Sequence, residues 1–207
     1  MTTSIRTGDV ARDLAWIVAT TIGLIVGGFV LHFPGSFGEA AWQPVAMLFG
    51  AILGFMTGVA VGLVQWAGLR LRRRSGLRLL CWMGVGIAIT HGLEDGAAWS
   101  LGIVALSLLC GFGMAAAYAA CLEDRRPVPL LLVGLGWTGS ILLASAIVDI
   151  MGLPWEETPV GWSTEHAVDG IVVGLVWGAM TVIAGVPARL RAGLPVNADV
   201  AAPEGAA

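Results

Sequence analysis

Two short stretches of this chain gather the side chains that bind ions and move protons. HGLEDGA, from His91, and EHAVDGI, from Glu165, each follow a histidine within four residues by an Asp-Gly pair. With Asp149 they supply His91, Glu94, Asp95, Asp149, His166 and Asp169, and His32 and Glu39 form a sparser counterpart earlier in the chain. Imidazole titrates near pH ~6.5 and neighbouring carboxylates raise that value, so such a set could hold a divalent metal, sense pH or concentrate cations at a pore mouth. The spacing H-x-x-E-D is not the H-E-x-x-H of helical zinc sites, and the three histidines lie far apart, so the spacing specifies no metal and no cofactor. The plainest structural reading makes Asp95 and Asp169 N-caps of the helices that follow them.

These residues must be positioned by membrane helices. The chain of 207 residues is 57% hydrophobic and 12% charged, with mean hydropathy +0.85, whereas soluble domains carry about 25% charged residues. A spanning helix needs about 20 apolar residues. The apolar runs place six spans at about 14–33, 45–69, 77–92, 97–121, 129–151 and 168–188. The expected fold is all-α: one polytopic domain over 1–193, with six transmembrane helices as three tandem hairpins (14–69, 77–121, 129–188). A small, polar tail over 194–207 is expected to be disordered. The third span is short if it begins at Leu79. Either it starts nearer Ser75, or His91, Glu94 and Asp95 sit below the outer surface as a recessed polar site that Asp149 could join. The loop 152–166, with two tryptophans and two prolines, reads as an interface-lying segment.

Orientation follows from arginine. There is no lysine, and the eleven arginines cluster at Arg6/Arg12, Arg70–Arg78, Arg125/Arg126 and Arg189/Arg191, always on one side of the spans. The positive-inside rule puts that side, and both termini, in the cytoplasm. Those segments hold six carboxylates against the eleven arginines, a net +5, and the outer segments hold eight carboxylates and no arginine. Trp16, Trp66, Trp82 and Trp137 fall near cytoplasmic ends and Trp42, Trp99, Trp155 and Trp162 near outer ends, as interfacial rings do. The first apolar run, about 18 residues, exceeds a signal-peptide core and is read as a retained span. Cys81, Cys110 and Cys121 have no C-x-x-C spacing and read as small buried apolar side chains.

Arginine clusters recur after the second, fourth and sixth spans, which suggests a partial repeat of hairpins. The segments AWIVATTIGLIVGG (15–28) and GLVQWAGLRLRRR (62–74) carry W-x-x-A-T-x-x-G-x-x-x-G and G-x-x-Q-W-x-x-L-R. In them the chain resembles uncharacterised bacterial multi-pass membrane proteins built from such hairpins. The resemblance covers mainly the first hairpin; it implies the topology and a bacterial inner membrane, and brings no activity.

Glycine costs roughly 1 kcal/mol in a helix interior, yet Gly50, Gly54, Gly58 and Gly62 stand four apart in the second span, and Gly170, Gly174 and Gly178 in the sixth. Ser107, Gly111, Ala115 and Ala119 make a similar ridge in the fourth. Small residues at this spacing let helix backbones approach in lipid. The even-numbered helices are expected to pack on one another or on their hairpin partners, with pore lining as the alternative. Gln65, nearly in line with Gly58, could bond a neighbouring helix's carbonyl. No Asp, Glu, Lys or Arg falls at the expected midplane, which argues against an ion-driven pump. The function expected is non-catalytic permeation of a small solute or cation through an acidic outer vestibule. The alternatives are an accessory subunit of a larger membrane complex and, less favoured, a metal-dependent outer-leaflet enzyme. The partner expected is the bilayer, with a homo-oligomer or larger complex beside it and no nucleic acid.

Overall fold

The computed structural model describes residues 7–31, 43–97, 101–152 and 159–192. Among these every regular element is a helix: α1 (Thr7–Leu31), α2 (Gln43–Leu69), α3 (Arg73–Ala97), α4 (Ile103–Leu122), α5 (Pro127–Met151), α6 (Pro159–Ile183) and a short α7 (Val186–Ala192). Each long helix packs on its two neighbours in chain order, and α6 returns to α1, so the six close a ring. The ends follow from local chemistry. Arg70 (φ 48) and Glu123 (φ 57) take the left-handed conformation that stops α2 and α4, and α5 begins on Pro127, whose missing N–H costs nothing at a helix start. Gly185 (φ 75) breaks the chain after α6, and α7 leaves it at 62°.

Five helices are long and apolar enough to cross a membrane, and α6 with α7 would make a sixth if that bent pair is one span. Their outward faces are apolar stripes, such as Leu14, Val18 and Ile22 on α1 or Val104, Leu108 and Phe112 on α4. The interior carries Thr20, Gln65, Thr90, Ser107, Ser140 and Thr181. An apolar outside around a partly polar inside suits a lipid surround.

Several expectations change. The helix α3 begins at Arg73 and α6 at Pro159, so Asp95 lies in the last turns of α3 and Asp169 in the third turn of α6, and neither is an N-cap. The short-span dilemma dissolves, because α3 has 25 residues, about 37 Å of helix. Part of the expected interface-lying loop is instead helix, from Pro159.

The glycine ridges also pack differently. A Cβ on Gly54 would lie 2.5 Å from the Ile87 carbonyl, one on Gly58 would strike the Met83 carbonyl, and one on Gly62 would lie 2.9 Å from Leu80. The α2 ridge thus seats α3, neither its hairpin partner nor an even-numbered helix. Gly170 and Gly178 lie over Ile25 and Ile17 of α1, with Gly174 against Thr21 between them. Gly111 meets Gly134 and Thr138 of α5, where Ala115 also lies beside Gly134. Each even-numbered ridge therefore receives the next odd-numbered helix around the ring. Backbones this close leave no lumen between the glycines, which rules out pore lining by the ridges.

Trp16, Trp82, Trp137 and Trp177 are all buried inside the bundle; the first three do not form the interfacial belt expected of them. Trp66 keeps an interfacial role, donating its indole N–H to the Leu71 carbonyl at 2.8 Å across the α2–α3 turn.

Candidate functional site

The ring interior has three layers. Towards the end away from the arginines, α3 presents Ile87, Thr90 and Glu94 inward at helical spacing, the first two fully buried. Asp169 precedes buried Val173 by one turn on α6. Glu94 lies within electrostatic reach of Asp95 and of Asp169, and Cys110 of α4 lies within reach of Glu94. The helices α3 and α6 are not neighbours around the ring, so the Glu94–Asp169 field crosses its interior. Yet the Glu94 side chain remains 39% accessible.

The first two glycines of the α2 ridge shape this cluster. A Cβ on Gly50 would collide with the Asp95 carboxylate, and one on Gly54 would lie 2.8 Å from the His91 Cβ. His91 Nδ1 stands 3.6 Å from Glu94 Oε2 one turn away. Thus His91, Glu94, Asp95 and Asp169 are gathered at one end. Asp149 is exposed at the end of α5, beside buried Val148. His166 lies on α6 one turn beyond Asp169, its side chain outside the described ones; His32 and Glu39 lie outside the described residues. Among the described residues no three His, Cys, Asp or Glu converge to hold a metal ion.

The middle layer is aromatic. Trp177 meets Trp137 edge-on at 4.9 Å and Trp82 at 5.6 Å, and Trp82 meets Tyr118 at 5.1 Å between ring centroids. The Trp177 indole donates to the Val133 carbonyl at 3.2 Å. The Trp16 indole donates to Thr181 Oγ1 at 2.8 Å. Gln65 Nε2 donates to Thr20 Oγ1 at 2.7 Å, and Thr20 in turn to the Trp16 carbonyl at 2.8 Å. Gln65 thus bonds a hydroxyl of its hairpin partner, not a carbonyl. The sequence pair W-x-x-A-T and Q-W is one seam, in which Trp16, Thr20 and Gln65 tie α1 to α2 and α6.

At the arginine end Asp124 is fully buried. It accepts from Tyr118 Oη at 2.8 Å, from the Arg126 backbone N–H and Nε at 3.1 Å each, and from Arg189 Nη1 of α7. Burial alone would raise its pKa. The hydrogen bonds from Arg126 and Tyr118 and the Arg189 charge outweigh that and hold the carboxyl below the usual carboxylate range. This lock joins α4, α5 and α7 and closes the ring. Sequence reasoning counted Asp124 only as one of the six carboxylates on the arginine side; the one signal was its position two residues before Arg126, where an aspartate caps the backbone locally.

No family model matches this sequence, and neither a curated protein nor a solved structure does.

Proposed function

We propose that this chain is a non-catalytic, six-span membrane protein that admits a small cation or cationic solute to an acidic outer vestibule and, in the conformation described, is shut towards the arginine side. The observation that carries this reading is Glu94, inward-facing and 39% accessible, with Asp169 acting on it across the ring. Two carboxylates facing one solvent-reached space raise the local cation concentration. The aromatic layer and the Asp124 lock then form the closed part of the path. On this reading both termini are cytoplasmic, the membrane is a bacterial inner membrane, and the hairpins are tandem repeats stitched by glycine zippers. The resemblance of the first hairpin to uncharacterised bacterial multi-pass proteins supports the same topology.

Cation flux into proteoliposomes is the test. Wild-type flux above that of empty vesicles, reduced several-fold by Glu94→Gln with Asp169→Asn, supports permeation; flux equal to empty vesicles overturns it. The alternative, an accessory subunit, drew on small-residue faces with no visible chemistry, and the ridges occupied inside the ring give it less support. A mild-detergent pull-down that recovers a stoichiometric second chain would favour it.

A further inference from the structure

Cys81 and Cys121 are 40 residues apart in sequence, which hid any relation between them. In the folded ring Cys81 Sγ and Cys121 Sγ stand 3.0 Å apart, with both thiols free. Closing to a disulfide needs the sulfurs to approach by about 1 Å, to ~2.05 Å. Cys81 lies on the outward stripe of α3 with Leu77 and Val85, one turn past Arg78, and Cys121 is half-buried, so a small uncharged reagent meets the first thiol near the helix end while the second waits behind it. The pair is held in register by the ion pair of Arg78 Nη2 with Glu123 Oε1 at 2.8 Å. Arg78 lies one turn before Cys81 on α3, and Glu123 lies just after Cys121 at the end of α4. Cys110, the third cysteine, is buried towards the opposite end of the ring, with its Sγ on the Thr90 carbonyl, and cannot take part.

We propose that Cys81 and Cys121 form a reversible dithiol–disulfide site whose oxidant is hydrogen peroxide. The Cys81 thiolate attacks one peroxide oxygen, the O–O bond breaks, and water leaves after protonation, giving a sulfenic acid at Cys81. The Cys121 thiolate then attacks the Cys81 sulfur; the S–O bond breaks, a second water leaves, and the S–S bond forms. Two thiols are oxidised by two electrons and one peroxide is reduced to two waters. Exchange with a small dithiol restores both thiols. The product covalently joins the arginine ends of α3 and α4 where the Arg78–Glu123 pair joins them reversibly.

The experiment treats the purified full chain in detergent with hydrogen peroxide, then denatures, alkylates and maps the peptides by mass. The expected result is joint loss of the Cys81 and Cys121 thiols, a Cys81–Cys121 cross-linked peptide in monomeric protein, Cys110 still alkylated, and full reversal by dithiothreitol. Cys110→Ser should behave as wild type. Cys121→Ser should instead leave a Cys81 sulfenic acid that dimedone captures. The proposal is overturned if Cys81 oxidises in the wild type without the cross-link, or if only intermolecular disulfides form. The wild-type map decides the matter even if a serine variant fails to fold.

Discussion

At the scale of single residues, Asp124 bears the heaviest electrostatic demand among the described residues outside the spans. Its carboxylate has no solvent contact, and three residues from α4, the α4–α5 turn and α7 satisfy it. Replacing it by asparagine leaves Arg189, itself mostly buried, facing a neutral amide. Removing one partner of a buried pair costs about 3–5 kcal/mol, and the partial exposure of Arg126 and Arg189 reduces this to about 2–3 kcal/mol for Asp124→Asn. The pH dependence has a definite sign. Because the folded pKa lies below the unfolded value of about 3.9, the contribution is complete above that value and is lost as pH falls through the folded one. Wild-type thermal stability in detergent should therefore drop on acidification below about pH 4, and Asp124→Asn should start lower and lose less over that window.

At the scale of helices, ridges and seams set the geometry. Gly58 and Gly139 are both helical glycines, yet a Cβ on Gly58 would meet the Met83 backbone whereas one on Gly139 would meet nothing within 4 Å. Gly58→Ala must push α2 and α3 apart, an overpacking cost of about 1–3 kcal/mol. Gly139→Ala should be neutral or gain up to about 1 kcal/mol of helix propensity. Thermal melts of the two variants in one detergent check the pair; equal effects would mean that the α2–α3 approach is looser than described. The ridges were legible in the sequence because four-residue spacing has one common use in lipid. Their partners were not, since spacing marks a face and says nothing about which neighbour occupies it. The same limit explains the tryptophans: position near a span end is compatible with facing lipid headgroups or facing inward, and the choice depends on helix rotation. Glu94, Asp95, His91 and Asp169 were legible as a cluster, whereas the cap role of Asp95 and Asp169 was misread because α3 and α6 extend beyond their apolar cores.

At the scale of the whole molecule, the ring carries His91, Glu94, Asp95 and Asp169 towards one end, aromatic rings in the middle and the Asp124 ion cluster at the other. If permeation follows the ring axis, its resistance lies in the aromatic layer, since Trp177 alone reaches from α6 to both Trp82 of α3 and Trp137 of α5. Truncating it removes a fully buried ring that spans the interior, and a void of that size between polar layers fills with water. The cost is about 3–5 kcal/mol, so each variant is first shown to be monodisperse by gel filtration. Trp177→Ala should then conduct small cations several-fold faster than wild type. Trp177→Phe, which keeps a ring but loses the bond to the Val133 carbonyl, should fall between them. Adding Glu94→Gln and Asp169→Asn to Trp177→Ala should return flux towards the wild-type level, because cations would no longer be gathered at the mouth. A Trp177→Ala protein that is folded but no leakier than wild type would place any path outside the ring axis, and the acidic end would then be a binding surface without a conduit behind it.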